Sequence, residues 1–112
     1  MKDGDVLFPY PDRSGETALL SFWCPGCKRE HPFRIKPEDG YSVWSFDGNM
    51  KRPTFSPSLL IHARANDGAM CHLFVRGGQI EFCSDSQHEL AGKTVPMVRW
   101  SESLNDWECE PR

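Results

Sequence analysis

The chain has 112 residues, a formal net charge of −3 and a pI of about 5.8, enough for one domain and too short for two. Its 38% hydrophobic and 26% charged residues are an ordinary globular mixture, which excludes wholesale disorder. No apolar run approaches the ~18–20 residues of a membrane span, and the acidic balance disfavours nucleic acid as a general partner despite the local cluster Lys28, Arg29, Arg34 and Lys36.

Nine glycines and nine prolines favour short strands and turns over long helices. Residues 1–10 lack a long apolar core and predict no signal peptide, hence a cytoplasmic protein. Ala18–Trp23 reads as an apolar strand, Pro25-Gly26 as a turn, and Glu30–Ile35 as the returning strand. Cys24 and Cys27 flank that turn. The chain has five cysteines, an odd number that fits a secreted disulfide framework poorly. Two thiolates separated by two turn-forming residues point instead at one tetrahedral metal ion. A redox pair would want a helix after the motif, and Pro32 opposes one.

Tyr41–Phe46 reads as a strand ending at Asp47-Gly48. Arg52–Ser58 contains two prolines and predicts an extended edge segment or ordered loop. Leu59–Ala63 is the next strand, and Asn66-Asp67-Gly68 turns the chain. Met70–Arg76 and Gln79–Ser84 flank Gly77-Gly78, which supplies the positive φ values of a two-residue hairpin turn. That turn sets Arg76 opposite Gln79, Val75 opposite Ile80, Phe74 opposite Glu81, Leu73 opposite Phe82 and His72 opposite Cys83. Leu73, Val75, Ile80 and Phe82 then form a core face with Cys71 at its end, while His72, Cys83 and Asp85 lie on the other face. Beyond the hairpin, Ser84–Gly92 predicts a short capped helix, Thr94–Val98 a last strand, and Trp100, Leu104 and Trp107 a short C-terminal helix. The expected fold is mainly β, one small domain over residues 1–112 built of antiparallel hairpins with a CxxC zinc knuckle and one or two short helices.

A zinc ion held by Cys24 and Cys27 needs further donors from Cys71, His72, Asp85 and His88. Three protein ligands plus water make a catalytic zinc, four a structural one. His31 and His62 are more simply a strand-start and a rim histidine, Cys83 a small strand residue, and Cys109 part of a polar tail. There is no HExxH helix, GxSxG elbow, P-loop or GxGxxG. Ser86, between Asp85 and His88, reads as a helix cap rather than a triad member, because triad residues are seldom neighbours in sequence.

Three blocks carry a family likeness: Phe22-Trp23-Cys24-Pro25-Gly26-Cys27 with His31; Arg52-Pro53-Thr54-Phe55-Ser56-Pro57-Ser58-Leu59; and Cys71-His72-Leu73-Phe74-Val75 with Ile80, Asp85, His88 and Ala91-Gly92. Over residues 20–98 they resemble a small uncharacterised family of tailed phages and prophages, often mislabelled "ammonia monooxygenase". Its members often have Cys where this chain has Ser86. The resemblance implies a neighbourhood of bacterial ubiquitin-like conjugation genes, and so a peptidase that trims or removes ubiquitin-like modifiers. The combined expectation is a zinc-dependent peptidase of the host cytoplasm. Its metal ligands come from Cys24, Cys27, Cys71, His72 and His88, and Asp85 or Glu30 serves as base or orienting group. The alternative is a non-catalytic, zinc-stabilised protein-binding module. Either way the partner is a protein substrate or host protein, with no membrane.

Overall fold

The computed structural model describes residues 1–109. Alternation along the strand Thr17–Cys24 (β2) buries Ala18, Leu20, Phe22 and Cys24 on one face. Phe8–Pro11 (β1) and Arg29–Arg34 (β3) pair with it antiparallel, in the order β1-β2-β3. Leu20 lies opposite Phe33, Phe22 opposite His31 and Cys24 opposite Arg29, so the CPGC turn closes a tight hairpin. Lys28 completes the turn in the left-handed region at φ 59°, with its N–H on the Cys24 carbonyl at 2.8 Å.

The second sheet has the order β6-β7-β8-β9, formed by Leu59–Ile61 (β6), Cys71–Arg76 (β7), Gln79–Phe82 (β8) and Thr94–Pro96 (β9). The Gly77-Gly78 turn gives the expected register: Arg76 with Gln79, Val75 with Ile80, Phe74 with Glu81 and Leu73 with Phe82. Leu73, Val75, Ile80 and Phe82 are buried as the core face. Two smaller pairs complete the fold. Ser45–Phe46 (β4) pairs with Phe55–Ser56 (β5), and Trp100–Ser101 (β10) with Asp106–Trp107 (β11).

An aromatic column joins these parts. Phe33 stacks on Phe55 at 3.9 Å between ring centroids, Phe55 on Phe46 at 4.9 Å, and Phe22 and Trp44 each meet Phe33 at 5.6 Å. The Trp44 indole N–H donates to the Ser58 carbonyl at 3.1 Å. The proline-rich segment is thereby fixed from both ends: the Gly78 amide donates to the Pro53 carbonyl and the Gly77 amide to Thr54 Oγ1.

Helix is almost absent among the described residues, being confined to a 3₁₀ turn at Ala63–Ala65. The expected helix over Ser84–Gly92 is a series of turns, because Gln87 and Ser86 bond across to Met70 and to His72 of β7 and hold the segment against the sheet. The Gln87 amide donates to the Met70 carbonyl at 2.8 Å, and Gln87 Oε1 accepts from the Met70 amide at 2.7 Å. The expected C-terminal helix is the β10–β11 hairpin. Asn105 turns the chain at φ 51°, and Trp100 packs edge-on against Trp107 across the pair. The Tyr41–Phe46 strand shortens to its last two residues, and the Leu59–Ala63 strand ends at Ile61.

Candidate functional site

Two groups of polar side chains lie on opposite faces of the second sheet. On the core side, Cys24, Cys27, Cys71 and His88 bring one ligand atom each to within 4.8 Å of one another. The knuckle supplies the first two and β7 the third. His88 comes in over the turn, with Nε2 at 3.4 Å from Cys71 Sγ. Its ring packs edge-on against Phe82, and it lies so close to Gly26 that a Cβ there would meet the ring at 2.3 Å. Glycine is required at this position by that close approach. Amide donors surround the sulfurs: the Cys27 N–H faces Cys24 Sγ at 3.4 Å, and Asn66 Nδ2 faces Cys27 Sγ at 3.1 Å.

A hydrogen bond from the Cys71 thiol, joined by His31 and the Cys27 amide, draws Cys24 well below the ordinary thiol range against the effect of burial. The same contact and burial push Cys71 up. One thiolate thus forms first, and its neighbours resist ionising unless a cation shares the charge. A tetrahedral zinc with bonds of about 2.0–2.3 Å has ligand–ligand edges of about 3.3–3.8 Å, so four donors this close together fit one ion. The Leu90 amide faces His88 Nδ1 at 3.2 Å, while Nε2 faces the cysteine sulfurs.

On the other face, His72 bridges two partners. Nδ1 lies 3.2 Å from both oxygens of Asp85, and Nε2 lies 3.2 Å from Ser58 Oγ. Sheet alternation explains the grouping. Leu59 opposes Leu73 and Leu60 opposes His72, so Ser58, on the same face as Leu60, sits diagonal to His72 across the β6–β7 pair. Asp85 follows β8 and rises beside the ring. Ser86 clamps the histidine backbone: its Oγ accepts from the His72 amide at 3.0 Å and donates to the His72 carbonyl at 2.8 Å. The His72 side chain is 28% exposed and that of Asp85 57%, so the group opens to solvent. Cys83 completes a second set of ligand-type atoms with His72 and Asp85, within the same 4.8 Å limit. Burial and the Asp85 and Glu81 charges push its thiol up, so at neutral pH it is protonated and a poor nucleophile.

The structure therefore divides the sequence-derived candidates. Cys24, Cys27, Cys71 and His88 come together, while His72 stands apart because neighbours on a strand face opposite ways. Asp85 joins His72. His88, a candidate donor with them, points to the cysteines. Glu30 joins neither group: it accepts from the Tyr10 hydroxyl at 2.9 Å and from the Trp107 indole at 3.1 Å, tying β1 and β11 to the knuckle hairpin. His31 is buried against Phe22 beside the knuckle, and His62 is exposed. Ser58 was not among the candidates. Its signal was a serine one residue before an apolar strand, which gains meaning only with the β6–β7 register.

The chain is thus a small antiparallel β protein with a Cys₃His cluster on one sheet face and a linked Ser–His–Asp group on the other. A family model described as "Bacterial ubiquitination-like system serine protease (BubE)" matches residues 1–83, and the chain belongs to that family. No curated protein and no solved structure matches.

Proposed function

We propose that the protein is a serine peptidase acting on ubiquitin-like conjugates or precursors, with Ser58 as nucleophile, His72 as general base and acid, and Asp85 as the group that orients His72. The observation that carries this reading is the single imidazole linking Ser58 Oγ through Nε2 to the Asp85 carboxylate through Nδ1. Asp85 holds the hydrogen on Nδ1, which leaves the Nε2 lone pair facing the serine. Ser58 Oγ attacks the scissile carbonyl as Nε2 takes its proton. Nε2 then gives that proton to the leaving amine, and water releases the acyl group by the same steps in reverse.

The substrate fits an open edge. The His72 N–H and C=O bond toward Ser86 and Cys83, so alternation turns the Leu60 N–H and C=O away from β7, on the outer edge of β6. An extended C-terminal tail adding to β6 would pass Ser58 two residues along. The ubiquitin-like character of the substrate is supported by the family's description.

Zinc belongs, in this reading, to Cys24, Cys27, Cys71 and His88. There it supplies a cross-link between the knuckle hairpin and the second sheet in a domain of small core. Four protein donors close the tetrahedron, which favours scaffold over catalysis.

A fluorophosphonate probe reports an activated serine without knowledge of the substrate. The expected result is one adduct on Ser58, absent in Ser58→Ala and slowed about 10⁴-fold in Asp85→Asn. A folded, zinc-loaded protein with an unlabelled Ser58 would move the reading to the protein-binding module.

A further inference from the structure

We propose that His72, Cys83 and Asp85 form a second, exchangeable site for a thiophilic divalent cation such as Zn²⁺, and that its occupation switches the peptidase off. The proposal rests on the serine-peptidase reading for its consequence, though not for the binding itself. His72 stands on β7, Cys83 and Asp85 follow directly after β8, and the three ligand atoms lie within 4.8 Å of one another. The His72 Nδ1 to Asp85 separation of 3.2 Å matches one edge of a zinc tetrahedron with nitrogen and oxygen bonds, about 3.3 Å. The set is more open than the cysteine cluster, with Asp85 exposed and His72 and Cys83 half-buried, so an ion can enter and leave.

Thiol, imidazole and carboxylate suit zinc, and three protein donors leave the fourth position to water. Binding proceeds by loss of the Cys83 proton to solvent and coordination by Cys83 Sγ, His72 Nδ1 and one Asp85 oxygen. An ion on Nδ1 leaves the ring hydrogen on Nε2, the atom that faces Ser58. Nε2 then has no lone pair for the serine proton, and the Asp85 carboxylate is drawn from ring to ion. Cys83 has no place in the proposed chemistry, which makes it the residue that separates inhibition from catalysis.

The experiment uses the whole 112-residue chain carrying its cysteine-cluster ion. Fluorophosphonate labelling of Ser58 is followed as buffered Zn²⁺ rises through the micromolar range, in wild type, Cys83→Ala and Cys83→Ser. Wild-type labelling should fall with zinc and recover on mild chelation. Both variants should keep the zinc-free rate and require at least about tenfold more zinc for the same loss. In parallel, Co²⁺ added to the zinc-loaded protein should give a thiolate charge-transfer band in wild type that Cys83→Ala lacks. Equal zinc sensitivity in all three proteins, zinc activation, or a cobalt spectrum unchanged by Cys83→Ala would overturn the proposal. A wild type that never labels at any zinc level would refute the peptidase reading instead, and the cobalt spectrum would still decide whether the site binds.

Discussion

Replacing Gly26 with alanine tests how the cysteine cluster is built. The new Cβ would lie 2.3 Å from His88 Cε1, 2.5 Å from Nδ1 and 2.6 Å from Nε2, where ordinary contact begins at 3.4 Å. Gly26 is not in the left-handed region, so its backbone accepts alanine and the cost falls on the imidazole. The ring must retreat by about 1 Å, and Phe82 stands against it at 4.6 Å between centroids. Nε2 then leaves its place 3.4 Å from Cys71 Sγ, and the cluster keeps three well-placed donors. A disturbed ligand costs about 10–100-fold in metal affinity, or about 1.4–2.7 kcal/mol. Metal binding adds to folding stability, so the zinc-loaded Tm should fall by about 5–10 °C. Competition against a chromophoric chelator gives the affinity, and melts with and without chelator give the coupling. The gap between wild type and Gly26→Ala should be wide with zinc and shrink without it. Unchanged zinc affinity, or a gap of equal size in both conditions, would show that His88 does not serve the ion.

Ser86→Ala removes both hydrogen bonds that clamp the His72 backbone, and should cost about 1–3 kcal/mol. Peptidase assays should show the loss chiefly in kcat, since the histidine is displaced; unaltered kcat would mean that Ser86 only fills space. Asp12 is held below the usual carboxylate range by its hydrogen bonds from Lys36 and Ser14. A carboxylate depressed in the fold contributes stability above its unfolded value and loses it as pH falls toward the folded one. The Tm difference between wild type and Asp12→Asn should therefore be open at neutral pH and close progressively below about pH 4. A difference constant across that range would contradict the pairing.

The hairpins were legible because their turns carry their own chemistry. Gly77-Gly78 fixes a two-residue loop, and every pair from Leu73–Phe82 to Arg76–Gln79 follows by counting. The same counting places Cys71 and His72 on opposite faces, as observed. His88 was harder: its direction depends on turns after β8 whose polar groups bond to Met70 and His72, which no local pattern reveals. Ser58 was hidden by a longer-range problem. Its neighbours depend on how β6 registers against β7 across the intervening segment, and on Trp44 fixing its carbonyl. Trp100 and Trp107 misled through spacing that suits a helix turn as well as a hairpin pair.

Cleavage of a ubiquitin-like protein carrying a C-terminal extension tests the central claim most directly, with wild-type and Ser58→Ala proteins at matched zinc content and matched melting temperature. The account predicts release of the extension by the wild type and a loss of about 10⁴–10⁶-fold in Ser58→Ala, with zinc retained by both. Cleavage by folded Ser58→Ala at the wild-type rate would contradict it.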